Sequence, residues 1–482
     1  MDLADGTGDS MDGTPGHLQL SPEAMRALGG AVIDEIVAHF AELPGKTVTN
    51  LAGRAALDAL LQEPPPEHGA DPLAVLQTVR DAVTGYIMHP DHPRFFAFVP
   101  GPSNFVGAMG DALAAGYNVF AGTWFESSGP AYIEMLTIDW LRQLCGMPIG
   151  SGGLFVSGGS LANLTALAVA RERLSENDWP RAVLYCSDQT HSSVDRAART
   201  LGIVGDRFRR LASDGGGRLD PCELHLAIQS DRAAGLLPLA VIANAGTTNT
   251  GAVDPLPEIA DLCAADGLWF HVDGAYAAAA IISPRAAPLL SGLDRADSLV
   301  LDPHKWLFQP YDIGCLLVRD ASQLESAFAI LPEYLRDIGA TTGEINYCDN
   351  GLELTRRFRA LKLWMSFKVF GLAAFRAAIE RGIQVAETAG YLLREAGCWE
   401  ITSPAQLAVI SFRHRNTPAD AGAAEDFHRR LLDALVADGH SLVTGTALNG
   451  RSVLRLCTVN PRTTDADLRE TLTRLRQLAE SV

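Results

Sequence analysis

Between about residues 150 and 320 the chain alternates short apolar runs with helical stretches, and this alternation restricts the fold more than any other feature. The runs Ala182–Cys186, Leu239–Asn244, Leu268–Val272, Ser298–Leu301 and Gly314–Val318 each hold four to six residues, the length of a strand. Strands separated by helices pair in parallel, so the expected class is α/β with a large, mainly parallel sheet. Ligands of such sheets gather at the carboxyl ends of the strands. From about residue 371 the pattern changes to long helices and short strands, as in "AQLAVISFRH" and "RSVLRLCTV", which predicts a smaller C-terminal α+β domain.

Ahead of the alternating region, residues 1–18 are polar and Gly-rich and are expected to form a disordered tail. In "LSPEAMRALGGAVIDEIVAHFAEL" Ser21 can cap a helix and Pro22 can open it, and Leu28, Val32, Ile33, Ile36, Val37 and Phe40 fall on one face. That apolar stripe needs cover, either from the chain's own body or from a second subunit. A Pro-rich linker, "LQEPPPEHGADP", follows at 61–72. The expected division is a tail at 1–18, a helical segment at 19–88, a large α/β domain at 89–370 and a small domain at 371–482.

Composition removes several function classes. A net charge of −18 disfavours nucleic acid and anionic membranes as partners, because both demand clustered positive charge. No uncharged apolar run has the roughly 18 residues of a membrane span. The eight cysteines are scattered without a CxxC pair, so neither a zinc cage, nor any other metal site, nor a redox dithiol is expected. The N-terminus lacks the basic and apolar regions of a signal peptide, and a cytoplasmic location is expected.

The strand ends carry the chemistry. In "DSLVLDPHKW" a strand runs into a turn that presents His304 and Lys305, and Lys305 is one of only four lysines in the chain. An amine can lose its proton and attack a carbonyl, which a guanidinium cannot. After "LFVS" come Gly158, Gly159 and Ser160 and then a helix; such a turn either simply caps the helix or holds an anion at its N-terminus. His191 follows "AVLYCSDQT", and Asp273 ends "GLWFHV", where a carboxylate is either a buried cap or the partner of a cation. An anion cradle, a flat imidazole, an acid and an amine together suit pyridoxal 5′-phosphate, whose phosphate, ring, ring nitrogen and aldehyde ask for one each. The stretch "FVSGGS" does not supply the GxSxG of a serine hydrolase.

Six blocks, "HPRFFAFVP" (92–100), "SGGSLANLTAL" (157–167), "DQTHSSVDRA" (188–197), "HVDGAYAAAA" (271–280), "DPHKW" (302–306) and "RRFRALKLW" (356–364), resemble in order the group II pyridoxal-phosphate decarboxylases of the aromatic L-amino acid type. The resemblance implies the type I pyridoxal-phosphate fold, similar to aspartate aminotransferase, and a homodimer with its active site at the subunit interface. By it Lys305 carries the cofactor, Asp273 pairs with the ring nitrogen, His191 stacks on the ring, and Gly159 and Ser160 hold the phosphate. Thr248 and His304 match positions that line the cofactor in relatives. Tyr347 matches, by counting back from the Arg-Arg-Phe block, a loop tyrosine that returns a proton to the substrate carbon, inside a polar lid "DIGATTGEINYCDNG". Phe98, Pro100 and Gly101 match the side-chain pocket, and Phe120 and Trp124 a segment that enters it from the partner.

Gly122 and Pro90 stand where the animal enzymes carry bulky aromatics, Asp302 where they tend to have Asn, and Gly274 where Ala is usual. The implied reaction is decarboxylation of an aromatic L-amino acid, tryptophan or phenylalanine ahead of tyrosine or DOPA, to its amine and CO2. The alternatives are a decarboxylation-dependent aromatic aldehyde synthase and a decarboxylase of a non-aromatic amino acid. From a different class, a silent pyridoxal-binding scaffold or regulator would keep the fold without turnover.

Overall fold

The computed structural model describes residues 18–330 and 343–482. The expected tail, apart from Leu18, and the part of the expected lid at 337–342 lie outside the described residues. Seven strands form the large sheet: β1 Gly152–Val156, β2 Ala182–Ser187, β3 Phe208–Leu211, β4 Leu237–Asn244, β5 Trp269–Asp273, β6 Ser298–Leu301 and β7 Gly314–Val318. Their spatial order is β1-β7-β6-β5-β4-β2-β3. The strands β2 to β6 pair in parallel, and β7 inserts antiparallel between β1 and β6. Each strand read from the sequence recurs with its ends moved by two residues at most. The edge strand β3, "FRRL", was not separable in advance, since two arginines and partial exposure erase its apolar pattern.

Alternation along the strands covers both faces. Leu154 and Val156 of β1, with Leu184 and Cys186 of β2, pack on the helix Gly159–Arg171 through Ala162 and Ala166. Phe155, Val183 and Tyr185 point the other way, into a cluster that includes Ile138 and Leu141 from the helix Trp124–Leu144.

The smaller sheet is antiparallel, with β8 Trp399–Gln406, β9 Val409–His414, β10 Thr444–Leu448 and β11 Arg451–Cys457 in the order β10-β11-β9-β8. A helical run, Ala360–Glu395, joins the two parts and breaks at Gly371, whose φ of 70° favours glycine. Residues 91–98 differ from their expected place in the large domain. Phe96 is buried among Val385, Phe412 and Leu454 of the small domain, and the amide of Cys457 donates to its carbonyl at 2.9 Å.

The helix Pro22–Glu42 forms as its sequence predicts, with Ser21 accepting from the amide of Ala24 at 3.2 Å. None of its residues is buried. His39, on its last turn, reaches Asp91 with 2.8 Å between Nε2 and Oδ2 and ties the helix to the body.

Candidate active site

The carboxyl ends of β1, β2, β4, β5 and β6 open on one cavity of about 400 Å³. Lys305 enters it from the turn after β6 and Asp273 from the end of β5; Gly159 and Ser160 open the helix after β1, and His191 caps the helix Ser192–Thr200. Thr248 and His304 also line it. The eight cofactor and catalytic positions read from the sequence therefore divide into seven that share one cavity and Tyr347, which does not reach it.

A directed chain of hydrogen bonds fixes the floor. The indole N–H of Trp269 donates to Ser298 Oγ at 2.7 Å, which leaves the serine hydroxyl to donate to His271 Nδ1 at 2.7 Å. His271 Nε2 then donates to Asn163 Oδ1 at 2.9 Å, and the Asn163 amide donates to Asp273 Oδ2 and Ser193 Oγ, both at 2.9 Å. Ser193 closes the chain on His191 Nδ1 at 2.8 Å. Every donor finds an acceptor only if His271 is neutral, and burial lowers its pKa to about 4. Asp273 is thereby held, 8% exposed, with one oxygen fixed by Asn163 and the other accepting from the amide of Ala275 at 3.2 Å. Partial burial also lowers the pKa of His191, against an upward pull from Asp273. Asn163 and Ser193 escaped the sequence reading, although both lie inside quoted blocks. An amide buried on an otherwise apolar helix face is the signal that could have found Asn163.

Lys305 Nζ lies 3.0 Å from Asp302 Oδ2. Burial is the largest influence on the lysine and pulls its pKa down, but Asp302 and Asp273 together outweigh it and leave the pKa raised. The amine waits as an ammonium. Gly101 lies across this turn, and a Cβ there would fall inside the backbone carbonyl of His304. Its role in this chain is close backbone approach, which only glycine allows.

The other expected pocket residues are arranged differently. Phe98, Pro100, Phe120 and Trp124 do not line the cavity of this chain; Phe98 is 57% exposed, and a Cβ on Gly122 would collide with the Phe120 ring. Tyr347 opens a short 3-10 turn and is 1% exposed, packed in the cluster of Leu154, Val156 and Ala166, with the Arg356 guanidinium 4.9 Å over its ring. Burial pushes its phenol well above its ordinary value, so neither place nor acidity suits the proton donor expected from counting. Motif spacing located a tyrosine but not its surroundings.

The residues present fit pyridoxal 5′-phosphate. Free amide N–H groups at the start of the helix Gly159–Arg171 face the cavity where a phosphate would lie, and a Cβ on Gly159 would come within 3.1 Å of Ala275 and close the approach. The fixed carboxylate of Asp273 suits a protonated ring nitrogen, and the Lys305 amine suits the aldehyde.

Comparison with known proteins agrees. Residues 55–415 match the model of the pyridoxal-dependent decarboxylase conserved domain. The chain is 46% identical to an aromatic-L-amino-acid decarboxylase of Bacillus atrophaeus, over 97% of this chain and 98% of that one. It is 32% identical to a phenylacetaldehyde synthase of Arabidopsis thaliana, over 94% and 95% of the two chains. Among solved structures, an Oryza sativa TDC with PLP and tryptamine superposes with a TM-score of 0.91 at 30% identity, covering 96% of this chain and 99% of that one. The chain belongs to the pyridoxal-dependent decarboxylase family and has the type I fold of that family, with pyridoxal 5′-phosphate as its cofactor.

Proposed function

We propose that the chain removes CO2 from an aromatic L-amino acid, with tryptophan or phenylalanine preferred, and releases the corresponding amine. The observation that carries the reading is the convergence of Lys305, Asp273, His191 and the Gly159–Ser160 helix start on one cavity. The likeness to a protein named for aromatic L-amino acids supports the substrate class.

Lys305 would hold the cofactor, and Gly159 and Ser160 its phosphate. Once bound, the cofactor supplies an electron sink for the pair left behind when CO2 departs. The chain's own residues do the rest. Asp273, pinned by Asn163, would keep a positive charge on the ring nitrogen. His191, oriented by Ser193, offers a flat surface and, in the neutral ring, a proton on Nε2. Among the described residues, the groups lining the cavity that carry a transferable proton include the Lys305 ammonium, the rings of His191 and His304, and the phenol of Tyr276, whose pKa burial raises. Among the described residues no arginine lines the cavity, which gives the second carboxylate of an acidic substrate no bidentate partner from them.

The reading includes a homodimer in the cytoplasm whose second subunit completes the pocket. Exposed Ile33 and Val37 on the N-terminal helix, together with Phe98 at 57% exposure, support a partner surface. The aldehyde synthase remains the second reading, favoured by the likeness to a phenylacetaldehyde synthase. The test incubates the purified enzyme with tryptophan, phenylalanine, tyrosine, DOPA, 5-hydroxytryptophan and glutamate, with mass spectrometry of products and an oxygen electrode. Amine from an aromatic acid without oxygen uptake is expected. Stoichiometric oxygen uptake with aldehyde overturns the reaction, and turnover of glutamate alone overturns the substrate.

A further inference from the structure

The turn after β6 buries a carboxylate that the family reaction does not call for. Asp302 is 2% exposed and lies between two glycine backbones: a Cβ on Gly159 would come within 3.0 Å of its Oδ2, and one on Gly314 within 2.7 Å of its Oδ1. That slot admits a flat carboxylate edge and little else. Among the described residues Oδ1 has no hydrogen-bond partner, while Oδ2 faces Lys305 Nζ at 3.0 Å and His304 Nε2 at 3.6 Å. The His304 ring is neutral, its pKa lowered by burial, so Lys305 is the cation that compensates the carboxylate.

We propose that Asp302 is the counter-ion of the Lys305 nitrogen: a positioning residue that aims this nitrogen into the cavity and holds its proton there. The proposal deepens the cofactor reading above and rests on it. The groups around the nitrogen divide by sign. From its own segment come Asp302, His304 and Tyr311; from β5 comes Asp273, from the helix cap His191, and from β11 Cys457. Of these Asp302 alone makes a direct ion pair with Nζ among the described residues. Asp273 is committed to Asn163 and to the amide of Ala275. An opposite charge at this range moves a proton affinity by about one to three pH units. A neutral amide in the same slot would keep the shape and lose that effect.

The test uses the full-length chain loaded with pyridoxal 5′-phosphate. The visible absorbance of the lysine-bound cofactor is titrated from about pH 5.5 to about pH 10 in the wild type and in Asp302→Asn. The midpoint is expected to fall by at least about one pH unit, a tenfold loss of proton affinity at the nitrogen. An unchanged midpoint overturns the proposal. If Asp302→Asn takes up no cofactor, competitive acylation of the cofactor-free wild type decides. Lys305 labelling with a midpoint above about 10.4 supports the pairing, and a midpoint below it, where burial alone would place a lysine, overturns it. A wild type that shows no visible band when loaded contradicts the cofactor reading instead, and the labelling result then stands on its own.

Discussion

Two lysines that burial desolvates, in two parts of the molecule, meet a carboxylate at nearly the same distance, and their pKa values move in opposite directions. Lys305 Nζ sits 3.0 Å from Asp302 with a raised pKa, at the edge of a cavity. Lys362, in the first turn of the helix Ala360–Glu395, donates to Asp111 and to the carbonyl of Pro310, both at 2.9 Å. Burial lowers its pKa, only partly offset by Asp111. Its backbone presses on Gly110, where a Cβ would lie 2.8 Å from the Lys362 Cα, so nothing can approach. Burial and an acid partner are thus common to both. What separates a reactive lysine from a structural one is the open volume in front of it, since each has a second acid within electrostatic reach, Asp273 for Lys305 and Asp312 for Lys362, the latter opposed by Arg357.

The largest effect expected from this difference is in Lys305→Ala, which should lose the visible cofactor band and lower turnover by on the order of a thousandfold or more. Absorbance and product assays check it, and a retained band would break the comparison outright. Next comes Glu134→Gln, on the structural side. Glu134 and Arg356 form a fully buried bidentate pair with oxygen–nitrogen distances of 2.6 and 3.3 Å. Loss of that charge should reduce stability by about 3–5 kcal/mol in urea unfolding, with the cofactor band kept in whatever fraction stays folded.

A pH effect of similar size belongs to the cavity floor. His271 holds a folded pKa of about 4 against 6.5 when unfolded, so the folded state binds fewer protons in that interval. Its contribution is complete above pH 6.5 and is lost as pH falls towards 4, at most about 3 kcal/mol. Unfolding midpoints across that window measure it: the pH dependence should become shallower in His271→Gln without vanishing, because His92 and His428, also lowered to about 4, keep their share. Lys362→Met should cost about 1–3 kcal/mol through its two lost hydrogen bonds and leave the band untouched. A lost band there would blur the line between the two lysines. The smallest effect is expected for Tyr347→Phe, under about 1 kcal/mol with amine still the product. Aldehyde from this variant would return that hydroxyl to the chemistry.

The sequence was most informative where local pattern and function coincide. Apolar runs, "LFVS" of β1 among them, located six of the seven large-sheet strands, and the residue types at their ends named Lys305, Asp273 and His191. Periodicity says nothing about what lies above a side chain. Tyr347 was assigned by counting along the chain, and only the packing of Arg356 over it reveals a core residue. Asn163 was missed because its partners, His271, Ser193 and Asp273, come from three other segments. What covers the apolar face of the N-terminal helix was left open by its pattern, and in this chain that face is covered only in part, with Leu28, Val32, Ile36 and Phe40 half-buried and Ile33 and Val37 exposed.

Gly101, which admits the His304 carbonyl, continues a strap whose other end is gripped by the last strand: the side chain of Arg455 donates to the carbonyl of Phe98 at 2.6 Å. During synthesis, then, the turn bearing the amine leaves the ribosome about 150 residues before the strand that fastens its clamp. A nascent chain ending ahead of that strand would already carry the lysine and its counter-ion while the grip on Phe98 is still missing, so the strap across the turn is fastened late in synthesis.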